Sequence, residues 1–304
     1  MTHGRPSRRE FLIGVGAATL AAGFRSSGQT KGPIQFGYAA ITWGGEDVQA
    51  IEEVGAVGFR GIQLRNTAVA RFGERPQELK DLLTRHRLKL AVLSSGNLGI
   101  DPAREVEEMA LHTRHAKFVK DVGGSYIQVI DQRPRGRDLV AADYKRLGGL
   151  LTELGKRTAD VGIPLVYHHH MNSIGERPQE IDAVMQATDT RHTTLLFDTA
   201  HYTQGGGDPI AGIKKYADRI SVLHIKDLES PVPGATGDLS RSYRFVELGR
   251  GKVDLKGVFG TLKQVGFKGW AIVELDRVPD PSRTPKDSAM IARDYLQREL
   301  RFTL

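Results

Sequence analysis

The chain has 304 residues, 39% hydrophobic and 26% charged, an ordinary globular composition with length for one large core or two smaller ones. It contains no cysteine, which excludes disulfide and thiolate chemistry. Its formal net charge is +7, but residues 1–31 hold Arg5, Arg8, Arg9, Arg25 and Lys31 against Glu10 alone. The rest carries only +3 with no run of five like charges, so it lacks the basic footprint of a nucleic-acid binder.

The first predicted element is not part of a fold. Ser7-Arg8-Arg9-Glu10-Phe11-Leu12 precedes an apolar, Gly/Ala-rich run from Ile13 to Gly23. A basic start and a short apolar stretch predict an export leader over residues 1–31, and the Arg-Arg pair before Phe-Leu makes it the twin-arginine type. The run is about half of the ~20 residues a membrane span needs. The expected destination is the periplasm or the exterior, the expected partner the twin-arginine translocation machinery, and no other membrane association is expected. Ala18 to Ala22 is the small-residue cluster nearest to a cleavage site.

From residue 32 onward, apolar β-branched runs alternate with amphipathic stretches. Strands are predicted at Ile34–Thr42, Gly61–Arg65, Lys89–Ser94, Tyr126–Ile130, Ile163–His168, Thr194–Asp198, Ile220–His224 and Trp270–Glu274. Helices are predicted at Glu46–Ala56, Gln77–Arg87, Ala103–Val122, Ala141–Val161, Arg177–Thr188, Pro209–Ala217 and Leu255–Val265. Pro76 and Pro178 stand where a helix start tolerates a missing N–H, and Gly58 and Gly266 each end a helix before an aromatic residue. Eight strand–helix units predict one (β/α)8 barrel over 32–304. The rival is an open doubly wound sheet, but Gly44-Gly45-Glu46 lacks the glycine spacing of its phosphate turn. Ser230–Ser242 is the longest irregular stretch and a candidate lid.

In a barrel the chemistry collects where the strands end. Strand five ends in His168-His169-His170, strand six in Asp198-Thr199-Ala200-His201, strand seven in His224-Ile225-Lys226-Asp227 and strand eight in Glu274-Leu275-Asp276. Half-buried imidazoles and carboxylates are costly unless paired or bound to a cation, and a mixed set suits one divalent ion such as Mn, Zn, Co, Fe or Mg. Singly, each has a bland reading. Asp198 can cap the next turn, His224 can be a hydrogen-bonded core histidine, and Glu274 can pair with Lys226 or Arg277. Neighbouring strand residues face opposite ways, so His168 and His170 can point inward while His169 points toward the helices. Trp43 is either a stacking platform for a sugar or core filler. Gln128 either faces the site or makes an interior polar pair. Glu247 and Arg250, around Gly249 and Gly251, are candidates to close the pocket, and Lys226-Asp227 reads as an ion-paired unit. No phosphate-cradling loop stands out, which favours an unphosphorylated substrate.

Asp-Thr-Ala-His at 198–201, Leu-His-Ile-Lys-Asp at 223–227 and Val-Glu-Leu-Asp at 273–276 resemble the xylose isomerase-like TIM barrels. That group holds sugar phosphate isomerases/epimerases, inosose dehydratase and endonuclease IV. Gly37–Trp43, Tyr167–Met171, Gly207-Asp208-Pro209 and Leu248–Asp254 are most similar to the inosose dehydratase-like pattern. The resemblance implies metal ligands Asp198, His224 and Glu274, a fourth from strand five, and a substrate contact from His201. Where many members have Glu on strand five, this chain has His168, with His170 two residues on and Glu176 as a fallback. Epimerases of the group use two metal-bound glutamates on opposite faces of the sugar. Without the strand-five Glu, elimination or hydration is expected in preference to symmetric epimerisation. Glu274 or His170 would be the base, and His201 or Lys226 the acid.

The leading expectation is thus a metal-dependent isomerase or lyase for a sugar, keto-sugar or cyclitol, with a homo-oligomer as the expected assembly. A non-catalytic sugar-binding barrel would have no need of the metal triad. An endonuclease IV-like repair enzyme would need further metal ligands that strand ends Leu64-Arg65-Asn66 and Ser94-Ser95-Gly96 do not offer.

Overall fold

The computed structural model describes Met1 and residues 34–237 and 242–304. The predicted leader, residues 1–31, lies outside the described residues apart from Met1. Among the described residues no helix is long and apolar enough to cross a membrane.

Eight parallel strands close into a barrel: β1 (Gln35–Ala39), β2 (Gly61–Arg65), β3 (Lys89–Leu98), β4 (Tyr126–Asp131), β5 (Leu165–His168), β6 (Thr193–Asp198), β7 (Ile220–Ile225) and β10 (Trp270–Val273). β1 pairs with β10 to seal the ring. An antiparallel hairpin, β8 (Asp227–Glu229) with β9 (Arg244–Val246), rises directly from the end of β7. Helices α1 (Asp47–Val57), α3 (Pro76–Arg85), α4 (Glu105–Val122), α5 (Ala141–Val161), α6 (Pro178–Gln186), α8 (Pro209–Lys215) and α9 (Leu255–Gln264) match the predicted ones within a few residues. Gly58 and Gly266 end their helices with φ of 109° and 67°, a region open to glycine at little cost.

Two apolar layers result. Leu64, Phe197, Tyr167, Leu223 and Val273 face outward and pack under the helices, whereas Ala39, Val166, Leu196, Val222, Trp270 and Ile272 fill the barrel. Side chains alternate along a strand. Two residues above that inner layer, the same inward rows therefore present His168, Asp198, His224 and Glu274 at the C-terminal mouth. The pairing is staggered, with His168 across from Leu196, Asp198 from His224 and Ile272 from His224, and the tilt of the strands in a closed barrel offsets that stagger so that the four meet at the mouth.

Several boundaries differ from expectation for local reasons. The first strand stops at Ala39 because Ala40–Trp43 coils into a 3-10 turn, held by Thr42 donating to the carbonyl of Leu275 at 2.5 Å. Strand five starts at Leu165, since Ile163 N–H is spent on Thr158 at the end of α5 and Pro164 has no N–H to give. Three helices went unpredicted: α2 (Asn66–Phe72), α7 (Thr199–Gln204) and α10 (Pro285–Asp294). The last carries its own signal, a box in which Thr284 and Asp287 cap each other.

Helix α5 runs so close to the turn before β6 that a Cβ on Gly155 would lie 2.1 Å from the carbonyl oxygen of His192. Backbone cannot yield as a side-chain tip can. Gly155→Ala is expected to cost about 1–3 kcal/mol, read as a lower melting temperature.

Candidate metal centre

Asp198 is the hub. It ends β6 and caps α7, its Oδ1 accepting N–H from Ala200 and His201 at 2.8 Å each. Among the described residues its Oδ2 accepts no hydrogen bond, yet it is fully buried. Around that oxygen stand His224 Nδ1 at 3.4 Å, His168 Nε2 at 3.6 Å and His201 Nε2 at 3.9 Å. Glu274 Oε1 lies 3.4 Å from His224 Nδ1. So the aspartate is both the cap and the convergence point, one oxygen for each.

The donors fit a divalent ion on two counts. Asp198 Oδ2, His168 Nε2 and His224 Nδ1 are all buried without a hydrogen-bond partner, an expense that proteins avoid unless something else satisfies the atoms. In addition, ligands about 2.0–2.2 Å from a tetrahedral ion lie roughly 3.4 Å from one another. The observed separations of 3.4 to 3.6 Å among Asp198, His168, His224 and Glu274 agree. Two groupings meet the criterion of mutual proximity, His168/Asp198/His201 and Asp198/His224/Glu274; they share Asp198 and so describe one centre.

Charge states suit ligation. Burial, reinforced by His224, pushes His168 down to about 4, and burial likewise holds His201 well below its ordinary value, so both rings keep free lone pairs at neutral pH. Burial would raise the two acids, but His201, His168 and His224 outweigh it at Asp198, which stays well below the carboxylate range. His224 and Lys226 do the same for Glu274, which falls to about 2.

Two glutamines brace the donors. Gln63, inside β2, accepts from His224 Nε2 at 2.9 Å and donates to Glu274 Oε2 at 3.0 Å. This fixes the His224 tautomer with its lone pair on Nδ1, facing Asp198. Gln128 of β4 lies 2.9 Å from His168 Nδ1 through its Nε2, while its Oε1 has no partner. A glutamine amide turned over has the same shape. So turned, Oε1 accepts Nδ1–H and leaves the His168 lone pair on Nε2. Gln63→Leu is expected to lower affinity for zinc about 10–100-fold, measured by competition with a chelating dye.

A second polar layer lies beside the hub. Lys226 is fully buried and reaches Asp276 at 2.5 Å, Glu274 at 3.2 Å and His201 Nε2 at 3.5 Å. Its ammonium also sits 3.8 Å from the centroid of Phe245 on β9, so the hairpin covers this side of the centre. The His170 ring stacks on His201 with centroids 3.8 Å apart, and His170 Nδ1 donates to the carbonyl of Met171. The His170 lone pair is therefore on Nε2.

Other predicted residues go elsewhere. Trp43 donates its indole N–H to Glu53 of α1 at 2.8 Å and packs edge-on against Tyr38, which puts it in the outer core. Gln128 braces His168, one of the converging donors. Glu247 is buried and accepts from Arg283 at 2.6 Å and Ser288 at 3.1 Å, anchoring the post-hairpin loop to α10. Arg250 lies 3.7 Å from Glu247 and lines a separate cavity of about 370 Å³ with Arg244 and Asp280. Glu176 turns to Arg133, 3.4 Å away, and does not join the donors. Lys226 and Asp227 are not ion-paired with each other: the strand alternation sends them apart, and Asp227 accepts backbone N–H from Leu228, Gly249, Gly251 and Val253. Gln63 and Phe245 were not anticipated, and Asp276 was named at the end of strand eight without a role. The signal for Gln63 was a lone polar residue inside an apolar strand.

A closed parallel barrel with a buried His/Asp/Glu cluster at its C-terminal mouth defines a class of metal-site TIM barrels. Residues 51–298 match the xylose isomerase-like TIM barrel family, and the chain belongs to it. It is 30% identical over 297 residues to inosose dehydratase of Lacticaseibacillus casei, covering 88% of this chain and 96% of that one. Its fold is that of the IOLI protein solved with a bound zinc atom, with a TM-score of 0.72, 18% identity, and 89% and 100% of the two chains covered. The probable 3-DHS dehydratase AsbF from Bacillus anthracis gives a TM-score of 0.70 at 13% identity, covering 87% and 99%. The protein is an enzyme, a lyase or an isomerase.

Proposed function

We propose that the protein is a divalent-metal-dependent dehydratase acting on a cyclitol ketone or related unphosphorylated keto-sugar, with His168, Asp198, His224 and Glu274 as the ligands. The observation that carries this reading is the set of buried, partnerless lone pairs meeting at Asp198 Oδ2. The relatives support the reaction class, since inosose dehydratase matches nearly end to end.

When bound, the ion would polarise the substrate carbonyl and so acidify the neighbouring C–H. The chain supplies the proton traffic. His170 Nε2 is an imidazole lone pair at the edge of the cluster, fit to take that carbon-bound proton. Lys226 donates toward His201 Nε2, which leaves the ring proton on Nδ1. The proton for the departing hydroxyl comes from the Lys226–His201 hydrogen bond, whose Nε2 end faces the cluster 3.9 Å from Asp198 Oδ2, so that water leaves and Lys226 becomes neutral. Glu274, held by Lys226, His224 and Gln63, is occupied as a ligand and is not needed as a second base. That leaves one acid and one base of different kinds, an asymmetry suited to elimination.

The test is a keto-inositol and keto-sugar screen on the purified protein, with and without chelator. The expected product has lost one water by mass, appears only with metal, and forms about 10²–10⁴-fold more slowly with His170→Asn. An isomeric product of unchanged mass would move the assignment to the isomerases. Export by the leader belongs to the same proposal: Arg8→Lys with Arg9→Lys is expected to retain the protein inside the cell, as read by fractionation.

A further inference from the structure

The middle histidine of the three-histidine run has no part in that chemistry. His169 is fully buried, faces away from the donors, and packs its ring against Phe197 at 5.3 Å and Tyr202 at 5.8 Å. Its Nε2 accepts the backbone N–H of Asp198 at 3.1 Å. Its Nδ1 has no partner among the described residues.

The barrel ladder explains why an acceptor is needed there. The pairing of β5 with β6 ends at His168 opposite Leu196, so β5 supplies no carbonyl for the N–H of Asp198 two residues further on. The hub residue would have a stranded, buried donor, which proteins avoid. The side chain of His169 takes over where the strand stops. It does so in an aromatic pocket where a phenylalanine or leucine would fit without leaving a ring N–H unsatisfied. A residue kept at that cost is there for its one acceptor atom.

We propose that His169 is a positioning residue: as the neutral Nδ1–H tautomer it extends the β5–β6 ladder by one side-chain hydrogen bond, and so fixes Asp198 with its Oδ2 aimed at the metal. The backbone of Asp198 is thereby held from one side by His169 while Ala200 and His201 hold its Oδ1 from the other. With both restraints the carboxylate has one orientation before any ion arrives, which lowers the cost of binding. The effect on affinity rests on the metal reading given above; the hydrogen bond itself does not.

Three measurements decide it. In the metal-free wild-type protein, ¹⁵N-histidine NMR is expected to show His169 with an unprotonated Nε2 and a protonated Nδ1; a proton on Nε2 overturns the proposal whether or not the protein binds any metal. Hydrogen exchange of a peptide spanning 193–204 is expected to quicken in His169→Leu; unchanged protection at Asp198 counts against the restraint. By dye competition, His169→Leu is expected to bind zinc about 10–100-fold more weakly, the range seen for supporting residues, and His169→Gln, whose Oε1 is again an acceptor, is expected to recover most of the loss. Wild-type affinity in a folded His169→Leu protein overturns the proposal. If the wild type itself binds no zinc, the metal reading fails, while the tautomer and exchange results still judge the ladder extension.

Discussion

Asp198→Asn is expected to remove tight zinc binding and to reduce turnover by about 10³-fold or more. The substitution keeps the shape of the side chain and leaves Oδ1 to cap α7 through Ala200 and His201. It replaces Oδ2, which has no partner of its own, with an amide NH₂ directed at His168 and His224. A lone pair thus becomes two donors in the place where the four side chains converge. A bound ion would supply several kcal/mol of charge stabilisation, and each 1.36 kcal/mol is about a factor of ten in rate. Dye competition and a turnover assay read the two effects separately. Because the cap survives, the melting temperature of metal-free protein should change little. Undiminished zinc affinity in this variant would remove Asp198 from the centre.

Lys226→Met is expected to be the most destabilising single change in the site. The ammonium is fully buried between Glu274 and Asp276, so its removal leaves two carboxylates close together with no cation between them. Breaking a buried ion pair on one side costs about 3–5 kcal/mol. At roughly 2–4 °C per kcal/mol for a domain of this size, the melting temperature should fall by about 6–20 °C. The contact with Phe245 is lost as well, which loosens the hairpin over the centre. Lys226→Met combined with Glu274→Gln and Asp276→Asn should regain much of the stability without regaining turnover. If the single variant melts as the wild type does, the lysine is not the counter-ion described.

The four converging donors were legible in the sequence because an apolar strand that stops on His, Asp or Glu announces what it carries to the mouth of a barrel. The rule that alternate residues face opposite ways separated His168 from His169 correctly. Applied to Lys226 and Asp227, the same rule rejects their pairing, and the structure separates them. Gln63 was invisible to a reading that stopped at strand ends, since it lies two residues before the end of β2. Its importance comes from partners 161 and 211 residues away, a closeness that only barrel closure creates. Trp43 was ambiguous because a 3-10 turn, not a strand, sets its direction. Glu247 looked like a pocket residue until Arg283 and Ser288, both beyond β10, claimed its carboxylate.

Placing the supporting amides at 63 and 128, and every donor between 168 and 274, sets an order of events during biosynthesis. A ribosome releases the braces first and the atoms they hold last. No early fragment can trap an ion in the final arrangement, and a gene cut at the midpoint would yield one half with donors and another with their supports. On the metal reading proposed above, acquisition of an ion would follow completion of the ring, making it the closing act of maturation.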